Sequence, residues 1–216
     1  MIRSRPKLFR YDLINYIAAL NNAQDYLEIG IHDGGCLQKI RIENIVGVDP
    51  GGAAGRVFCT RFHPLPSDIY FELHGNLKYD VIFIDGLHTG DQVAKDIDNA
   101  LKCLKPGGAI VLHDINPATA ERERPDTNGD CWRAMYRLRT SNPNVIAFTI
   151  DADQGLGVIL PKPGNGVNFD TPTRETINYS VLAKDRANVI GLVDTETGLA
   201  KIDEYYTGLR QKVDYR

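Results

Sequence analysis

The sequence predicts an α/β fold in which strands and helices alternate around a mostly parallel sheet. Residues 26–29 form a short apolar run that leads into a glycine turn and the start of a helix. Two further apolar runs, residues 81–84 and 109–112, flank a segment with helical spacing and stop at polar residues. Strands buried on both faces need such uninterrupted runs, and a strand–helix–strand unit of this length is a right-handed crossover between parallel neighbours.

The first half of the chain supplies the other elements on one side of this sheet. Apolar residues at helical spacing predict a helix over residues 11–22, beside the first strand. A short helix over residues 36–40 precedes a second strand at residues 44–48, and residues 55–65 are expected to contain a weak third strand. Ser67 is predicted to be the N-cap of the next helix, because Ser is a preferred N-cap residue.

The second half adds a loop, a helix and a hairpin. Residues 118–130 are charged and contain Pro and Asn-Gly, which is typical of a mobile surface loop. A helix follows over residues 131–138. Strands at residues 145–150 and 156–160 are joined by only a few residues, so they are expected to pair as an antiparallel hairpin.

The last quarter is predicted to be an appendage. Residues 161–170 are rich in Pro, Gly and Asn, as linkers are. Residues 176–190 have helical spacing, and the stretch to residue 216 is mostly polar. We therefore expect one domain over residues 1–161, and a linker with a helical extension over residues 162–216 that packs on this domain or on a second subunit.

Composition excludes several functional classes. The chain has 216 residues, a net charge of −3 and a pI of about 5.9, with no Lys/Arg run, so neither nucleic acid nor anionic membrane is an expected partner. No stretch has the apolar length of a signal peptide or a membrane span. The widely spaced cysteines predict reduced, half-buried thiols and a cytoplasmic protein: Cys36, Cys59, Cys103 and Cys131.

Polar residues follow four of the predicted strands. They occupy residues 28–35, Asp49, residues 85–88 and residues 113–116. Ligands of open α/β sheets bind outside the carboxyl ends of the strands, so these tips are expected to share one rim. Gly30 also lets a ligand approach the main chain closely. The sequence therefore predicts a site for a small polar molecule, against the alternative of an ordinary turn with no ligand.

Two nucleoside ligands are compatible with this turn. The dinucleotide fingerprint requires glycine where this chain has His32, whose ring would obstruct a pyrophosphate. Glu28 instead suits a ligand with an ammonium group, such as S-adenosylmethionine (SAM). Asp49, about 20 residues beyond the turn, is placed to bind ribose hydroxyls, although it could simply be a turn residue before proline.

Several motifs together resemble the class I SAM-dependent methyltransferases. They are E-I-G at residues 28–30, F-I-D-G-x-H at residues 83–88, L-K-P-G-G at residues 104–108 and H-D at residues 113–114, and the likeness extends over residues 25–160. The resemblance implies a Rossmann-like three-layer sandwich. Its seven-stranded sheet would have the order 3-2-1-4-5-7-6, with only the seventh strand antiparallel.

The same resemblance implies roles for individual residues around SAM. Four would line the methionine part: Glu28, Gly30, Gly34 and Gly35. Asp49 would hold the ribose and Asp85 would lie on the methionine and substrate side. Ser67 and Asp68 would sit by the adenine, although helix capping alone would also explain both residues.

Methyl transfer needs an aligned acceptor and a group that removes its proton. His88 and His113 are the candidate bases, and Asp85 and Asp114 could orient them. Related metal-dependent O-methyltransferases place oxygen ligands after strands four and five, which implies a divalent metal such as Mg²⁺ or Mn²⁺ on Asp85, His113 and Asp114. His113 departs from that pattern as a nitrogen donor. The alternative is that these histidines only cap strand ends.

Other conspicuous residues receive no firm role. His63 and His74 are expected off the rim, and residues 121–124 are expected to form a solvated charged surface. Trp132 and Tyr136, one helical turn apart, could line an acceptor site or belong to the core.

The predicted function is SAM-dependent methyl transfer to a hydroxyl of a small molecule or glycan. Two alternatives remain: a nicotinamide-dependent oxidoreductase, and a SAM-binding interaction module without catalysis. Homo-oligomerisation through the C-terminal extension is a further expectation.

Overall fold

An eight-stranded sheet forms the centre of the protein in a computed structural model, which describes residues 7–51, 54–163 and 177–213. The strands lie in the order β3-β2-β1-β4-β5-β7-β6-β8. Their bounds are β1 Asp25–Ile29, β2 Asn44–Val48, β3 Arg61–His63, β4 Tyr79–Ile84, β5 Leu104–Leu112, β6 Val145–Ile150, β7 Leu156–Pro161 and β8 Leu192–Val193.

The predicted fold class is confirmed. Strands β3, β2, β1, β4 and β5 are mutually parallel, whereas β7 runs antiparallel to both β5 and β6. The β6–β7 pair is the predicted hairpin. Because the five parallel strands point the same way, their carboxyl ends share one edge of the sheet.

Helices cover both faces of the sheet and make three layers. Their bounds are α1 Arg10–Asn21, α2 Ser67–His74, α3 Gly90–Lys102, α4 Trp132–Ser141, α5 Tyr179–Lys184, α6 Arg186–Val189 and α7 Thr195–Val213. One core packs α2, α3 and α4 on the sheet, and the other packs α1 and α7 on the opposite face. Among the described residues, no helix combines the length and hydrophobicity needed to span a bilayer.

The prediction of seven strands is wrong by one edge strand. β8 pairs in parallel with β6, with Leu192 opposite Thr149 and Val193 opposite Ile150. Two residues are too few to produce an alternating pattern in the sequence. Their pairing depends on the open edge of β6, which only the folded sheet supplies.

The segment after β2 differs from the prediction in two places. Residues Gly55–Phe58 form a 3-10 helix, and β3 follows it at Arg61–His63. Val57 falls within the range predicted to contain the third strand, but it lies in the 3-10 helix and its side chain is exposed. Pro66 occupies the N-cap position of α2, and Ser67 is its first helical residue. The prediction that Ser67 is the N-cap is therefore wrong. Its hydroxyl does not cap the helix but accepts a hydrogen bond from the Gln92 side chain.

The C-terminal extension contains more structure than predicted. Asp185 accepts a hydrogen bond from the Asn188 amide and starts a new helix, which splits the expected single helix into α5 and α6. The polar-looking stretch forms the 19-residue helix α7, which buries Ile202 and Tyr206 against α1. The predicted linker beyond residue 163 and the predicted helix start at residue 176 lie outside the described residues.

The four cysteines are free thiols. Cys36 and Cys59 are half-buried as predicted, whereas Cys103 and Cys131 are fully buried, which corrects that expectation. Burial raises the pKa of the Cys36 thiol, so the thiol is held protonated.

Candidate active site

A cavity of about 1110 Å³ opens at the carboxyl ends of the parallel strands. Ten of the eleven predicted site residues line it, contributed by β1, β2, β4, β5 and α2 or the turns that follow them: Glu28, Gly30, Gly35, Asp49, Ser67, Asp68, Asp85, His88, His113 and Asp114. The predicted convergence of the strand tips is therefore present as one continuous wall.

The glycine turn after β1 is shaped by close backbone contacts. Gly30 has φ +87°, and a Cβ atom added to it would lie 2.1 Å from the Asp85 carbonyl oxygen. Only glycine fits this position without displacing the end of β4. Gly34, the eleventh predicted residue, faces the Phe58 ring and lies behind the cavity wall rather than on it.

Asp49 at the end of β2 holds the turns around the cavity. Its carboxylate accepts hydrogen bonds from the amides of His32, at 2.9 Å, and Gly51, at 2.7 Å. A carboxylate has capacity for further hydrogen bonds, so ribose hydroxyls can still bind there. Asp49 therefore also orders the glycine turn, a role that the sequence did not indicate.

A network of hydrogen bonds holds the two residues that are predicted to lie beside the adenine of SAM, Ser67 and Asp68. The Gln92 amide on α3 donates to Ser67 Oγ, to Asp68 Oδ1 at 2.9 Å and to Asp96 Oδ1 at 3.1 Å. Asp96 is buried behind this network, and burial raises its pKa to about 6. Sequence reasoning missed Gln92 and Asp96, although both lie on the face of α3 that is turned towards α2.

Glu28 is a buried acid at the bottom of the cavity. It is 1% exposed, and the Tyr26 hydroxyl donates a hydrogen bond to its carboxylate. Burial disfavours the charged form and raises the pKa of Glu28 to about 8, against the hydrogen bond from Tyr26, which lowers it. The side chain is therefore mainly neutral at pH 7.

Glu28→Gln is expected to remove a pH dependence of stability. Because the folded-state pKa of Glu28 exceeds its unfolded value, its protonated form stabilises the protein fully below about pH 4.5 and progressively less up to about pH 8. Between pH 5.5 and 9, wild type should lose on the order of a few kcal/mol of unfolding free energy that the variant retains. Urea unfolding of both proteins across this range measures the difference, and parallel curves would contradict the prediction.

Four ionisable side chains form a tight group on the other side of the cavity. His113 Nδ1 lies 3.3 Å from Asp85 Oδ1 and 3.1 Å from Asp114 Oδ2. His88 Nε2 lies 3.5 Å from Asp85 Oδ1 and 3.4 Å from Asp114 Oδ2. We call these residues, Asp85, His88, His113 and Asp114, the acid–imidazole group.

The pKa values of the residues in this group depend on one another's charges. Burial lowers the pKa of His113, but the carboxylates of Asp114, Asp153 and Asp85 outweigh it and raise that pKa to about 11. The Asp85 carboxylate raises the pKa of His88. The two imidazoles hold the pKa of Asp85 well below its ordinary value despite its burial. The group is therefore a cluster of ion pairs.

Two residues that the sequence did not single out complete the surroundings of this group. Arg10, the first residue of α1, donates from Nη1 to Asp85 Oδ2 at 2.8 Å and from Nε to Asp153 Oδ2 at 3.0 Å. Asp153 lies in the β6–β7 turn, with its Oδ1 atom 3.8 Å from His113 Nε2. Neither belongs to the four polar strand tips that the sequence identified, and no motif marks them.

Four residues that line the cavity have strained backbone conformations. His32, Asp114, Asp153 and Gln154 are non-glycine residues with positive φ, and all four line it. Such conformations cost about 1–3 kcal/mol each and persist where the surrounding structure enforces them. At Asp114 this conformation directs the carboxylate towards both imidazoles.

The loop over residues 118–130 contributes more than the sequence predicted. Arg122 lines the cavity and donates to Asn128 Oδ1 and Gln154 Oε1, and Glu123 accepts hydrogen bonds from Trp132 and Arg133. Residues 121, 122 and 124 are exposed, as expected of a solvated surface, whereas Glu123 is half-buried.

The remaining candidates lie away from the cavity. His63 and His74 stack against each other with ring centroids 4.6 Å apart, off the rim as predicted. Trp132 is fully buried in the core, and Tyr136 lies beside α5, so neither lines the cavity.

Comparison with known proteins gives a family match and a fold match. Residues 27–115 match a family described as a methyltransferase domain. An uncharacterized protein, R132, of Acanthamoeba polyphaga mimivirus is 29% identical over 115 residues, which cover 41% of this chain and 50% of that protein. The chain thus spans about half the length of this relative.

Solved structures of methyltransferases, among them two O-methyltransferases, are similar in fold. The O-methyltransferase of Bacillus cereus, in complex with SAH, has a TM-score of 0.57 and 15% identity, covering 74% of this chain and 84% of that one. The O-methyltransferase TomG of Streptomyces achromogenes, in complex with SAM, has a TM-score of 0.56 and 17% identity, covering 71% and 79%. The SAH-bound methyltransferase PaMTH1 of Podospora anserina has a TM-score of 0.54 and 18% identity, covering 71% and 78%.

Proposed function

We propose that the protein transfers a methyl group from SAM to a hydroxyl of a small molecule or glycan, and the match of residues 27–115 to a methyltransferase domain supports this. The match agrees with the family that the sequence motifs predict. One observation carries the proposal: the SAM-side residues and the acid–imidazole group line the same cavity.

SAM would occupy the side of the cavity formed by β1, β2 and α2. Glu28 lies at the bottom, where the ammonium of the methionine part would meet its carboxyl, and the ammonium charge would favour ionised Glu28. Asp49 would accept hydrogen bonds from the ribose hydroxyls. Ser67 and Asp68, held by Gln92, would bound the adenine.

The acceptor would occupy the remaining space beside the acid–imidazole group. Phe9, Tyr11, Leu87 and Arg122 also line this cavity and offer apolar and charged contacts. Methyl transfer is an in-line displacement, so the side chains must align the hydroxyl and take its proton. The acid–imidazole group would orient the hydroxyl, and His113 would do so as a cation rather than take the proton, because its pKa is raised to about 11.

Asp85, His113 and Asp114 also fit a divalent cation. One donor atom from each lies within 4.8 Å of the others, and both ring nitrogens of buried His113 lack a hydrogen-bond partner within the described residues. A bound cation would lower the pKa of the acceptor hydroxyl. Loss of activity with a chelator, restored by a divalent ion, would support this role, whereas indifference to chelation would end it.

Two measurements test the proposal against its alternatives. Calorimetry should show binding of SAM and S-adenosylhomocysteine but not of NAD⁺, because His32 occupies the position at which a pyrophosphate would need glycine. Transfer of labelled methyl from SAM to a panel of hydroxylated acceptors then separates an enzyme from a non-catalytic binding module. Binding of NAD⁺ in place of SAM would contradict the proposal.

A further inference from the structure

We infer that His88 is a fourth metal ligand, so that the acid–imidazole group holds one divalent ion through two carboxylates and two imidazoles. Such a site selects a first-row transition metal, for example Mn²⁺ or Co²⁺, over Mg²⁺. The inference rests on the proposed metal site and changes both its ligand set and its preferred ion.

The four donor atoms form a closed ring. In ring order they are Asp85 Oδ1, His113 Nδ1, Asp114 Oδ2 and His88 Nε2. Successive atoms lie 3.3, 3.1, 3.4 and 3.5 Å apart, including the return from His88 to Asp85. Oxygen and nitrogen alternate around it, so each imidazole lies between two carboxylates.

The size of this ring matches a coordination shell. With metal–ligand distances of about 2.0–2.2 Å, neighbouring ligands of one ion are roughly 2.9–3.5 Å apart. Donor atoms of Asp85, His113 and Asp114 already lie within 4.8 Å of one another, and rotation of the His88 side chain would bring its Nε2 atom to the same ion.

The outer atoms of these four side chains are engaged by the protein. Arg10 Nη1 donates to Asp85 Oδ2 at 2.8 Å, and Asn128 Nδ2 donates to Asp114 Oδ1 at 2.9 Å. His88 Nδ1 bonds the carbonyl oxygen of Thr127, which makes Nδ1 the N–H donor and leaves a lone pair on Nε2.

His113 completes this pattern. Its Nε2 atom faces the carboxylate of Asp153 at 3.8 Å, and its Nδ1 atom faces the ring. Metal-binding histidines usually direct their other N–H to a carboxylate or a backbone carbonyl, and metal-binding carboxylates are themselves hydrogen-bonded. Outer partners therefore orient all four inner atoms towards one point.

Burial separates this group from an ordinary surface cluster. His113 is 3% exposed in its side chain and Asp114 is 5% exposed. Within the part of the chain that is described, neither ring nitrogen of His113 makes a hydrogen bond. Buried polar atoms without a partner are rare, and a bound ion would satisfy Nδ1.

The nitrogen donors decide which ion is preferred. Mg²⁺ prefers oxygen ligands and gives up its water reluctantly, whereas imidazole binds later first-row metals well. Affinity rises from Mn²⁺ to Co²⁺ and beyond along the first row, so Co²⁺ combines tight binding with an optical spectrum that reports its ligands.

The experiment titrates the metal-free full-length protein with Co²⁺, by calorimetry and by visible absorbance, with Mg²⁺ as competitor. We expect one Co²⁺ per chain, bound at least 100-fold more tightly than Mg²⁺. His88→Ala should weaken Co²⁺ binding by about 10-fold to 100-fold and change the absorbance bands. His88→Gln, which preserves side-chain volume, should also change the bands, and His74→Ala should change neither reading.

Two outcomes would overturn the inference. Equal affinity for Co²⁺ and Mg²⁺ would remove the claimed selectivity, and an unchanged Co²⁺ spectrum in folded His88→Gln would remove His88 from the ligand set. Circular dichroism establishes that each variant is folded. SAM binding, measured separately on wild type, shows whether the proposed function has failed independently of the metal site.

Discussion

Gly30→Val is expected to abolish SAM binding. Residue 30 has φ +87°, a conformation that strains any side chain and a β-branched one most. A Cβ atom there would lie 2.1 Å from the Asp85 carbonyl oxygen and 2.6 Å from Gly86 Cα, which are backbone atoms that cannot rotate away. The β1 turn and the end of β4 must separate, and both contribute to the SAM side of the cavity. We expect SAM affinity to fall by at least 100-fold in calorimetry.

The same substitution should lower the unfolding free energy by several kcal/mol, because strain at a special backbone conformation is among the most destabilising changes. Gly208→Ala is the matched control, since an added Cβ there meets nothing within 4 Å. In a helix this change should be neutral or stabilising by about 0.5–1 kcal/mol. Retention of SAM affinity by Gly30→Val would mean that the turn does not form the binding site.

The rim was predictable because it depends on local patterns. Apolar runs identified β4 and β5, their polar ends identified Asp85 and His113, and parallel strands necessarily bring such ends to one edge. Nothing more than strand order was needed to bring together side chains that are 28 residues apart in sequence.

The surroundings of the rim were not predictable in this way. Arg10 reaches Asp85 across 75 residues and Asp153 across 143, and neither contact leaves a periodic signal. Their positions follow from how α1 and the β6–β7 turn pack on the finished sheet. The edge strand β8 was not predicted for a related reason, since it is two residues long and is stabilised by pairing rather than by hydrophobic alternation.

His113→Ala is expected to remove methyl transfer while sparing SAM binding. The side chain belongs to the acid–imidazole group, on the opposite side of the cavity from Asp49 and Ser67. Its removal leaves Asp85 and Asp114 facing each other without the cation or metal ligand between them. Loss of one preorganised electrostatic contact to the reacting groups lowers turnover by about 100-fold to 1,000-fold. Single-turnover kinetics and SAM calorimetry on the same preparation measure both quantities.

His74→Ala is the control for this variant, because His74 lies off the rim and stacks on His63. It should retain both SAM affinity and turnover. The decisive pattern is a change in turnover with an unchanged dissociation constant for SAM, since simple unfolding would remove both. If folded His113→Ala transferred methyl at the wild-type rate, neither an orienting role nor a metal ligand could be assigned to this imidazole. The acceptor hydroxyl would then have to be oriented elsewhere in the cavity.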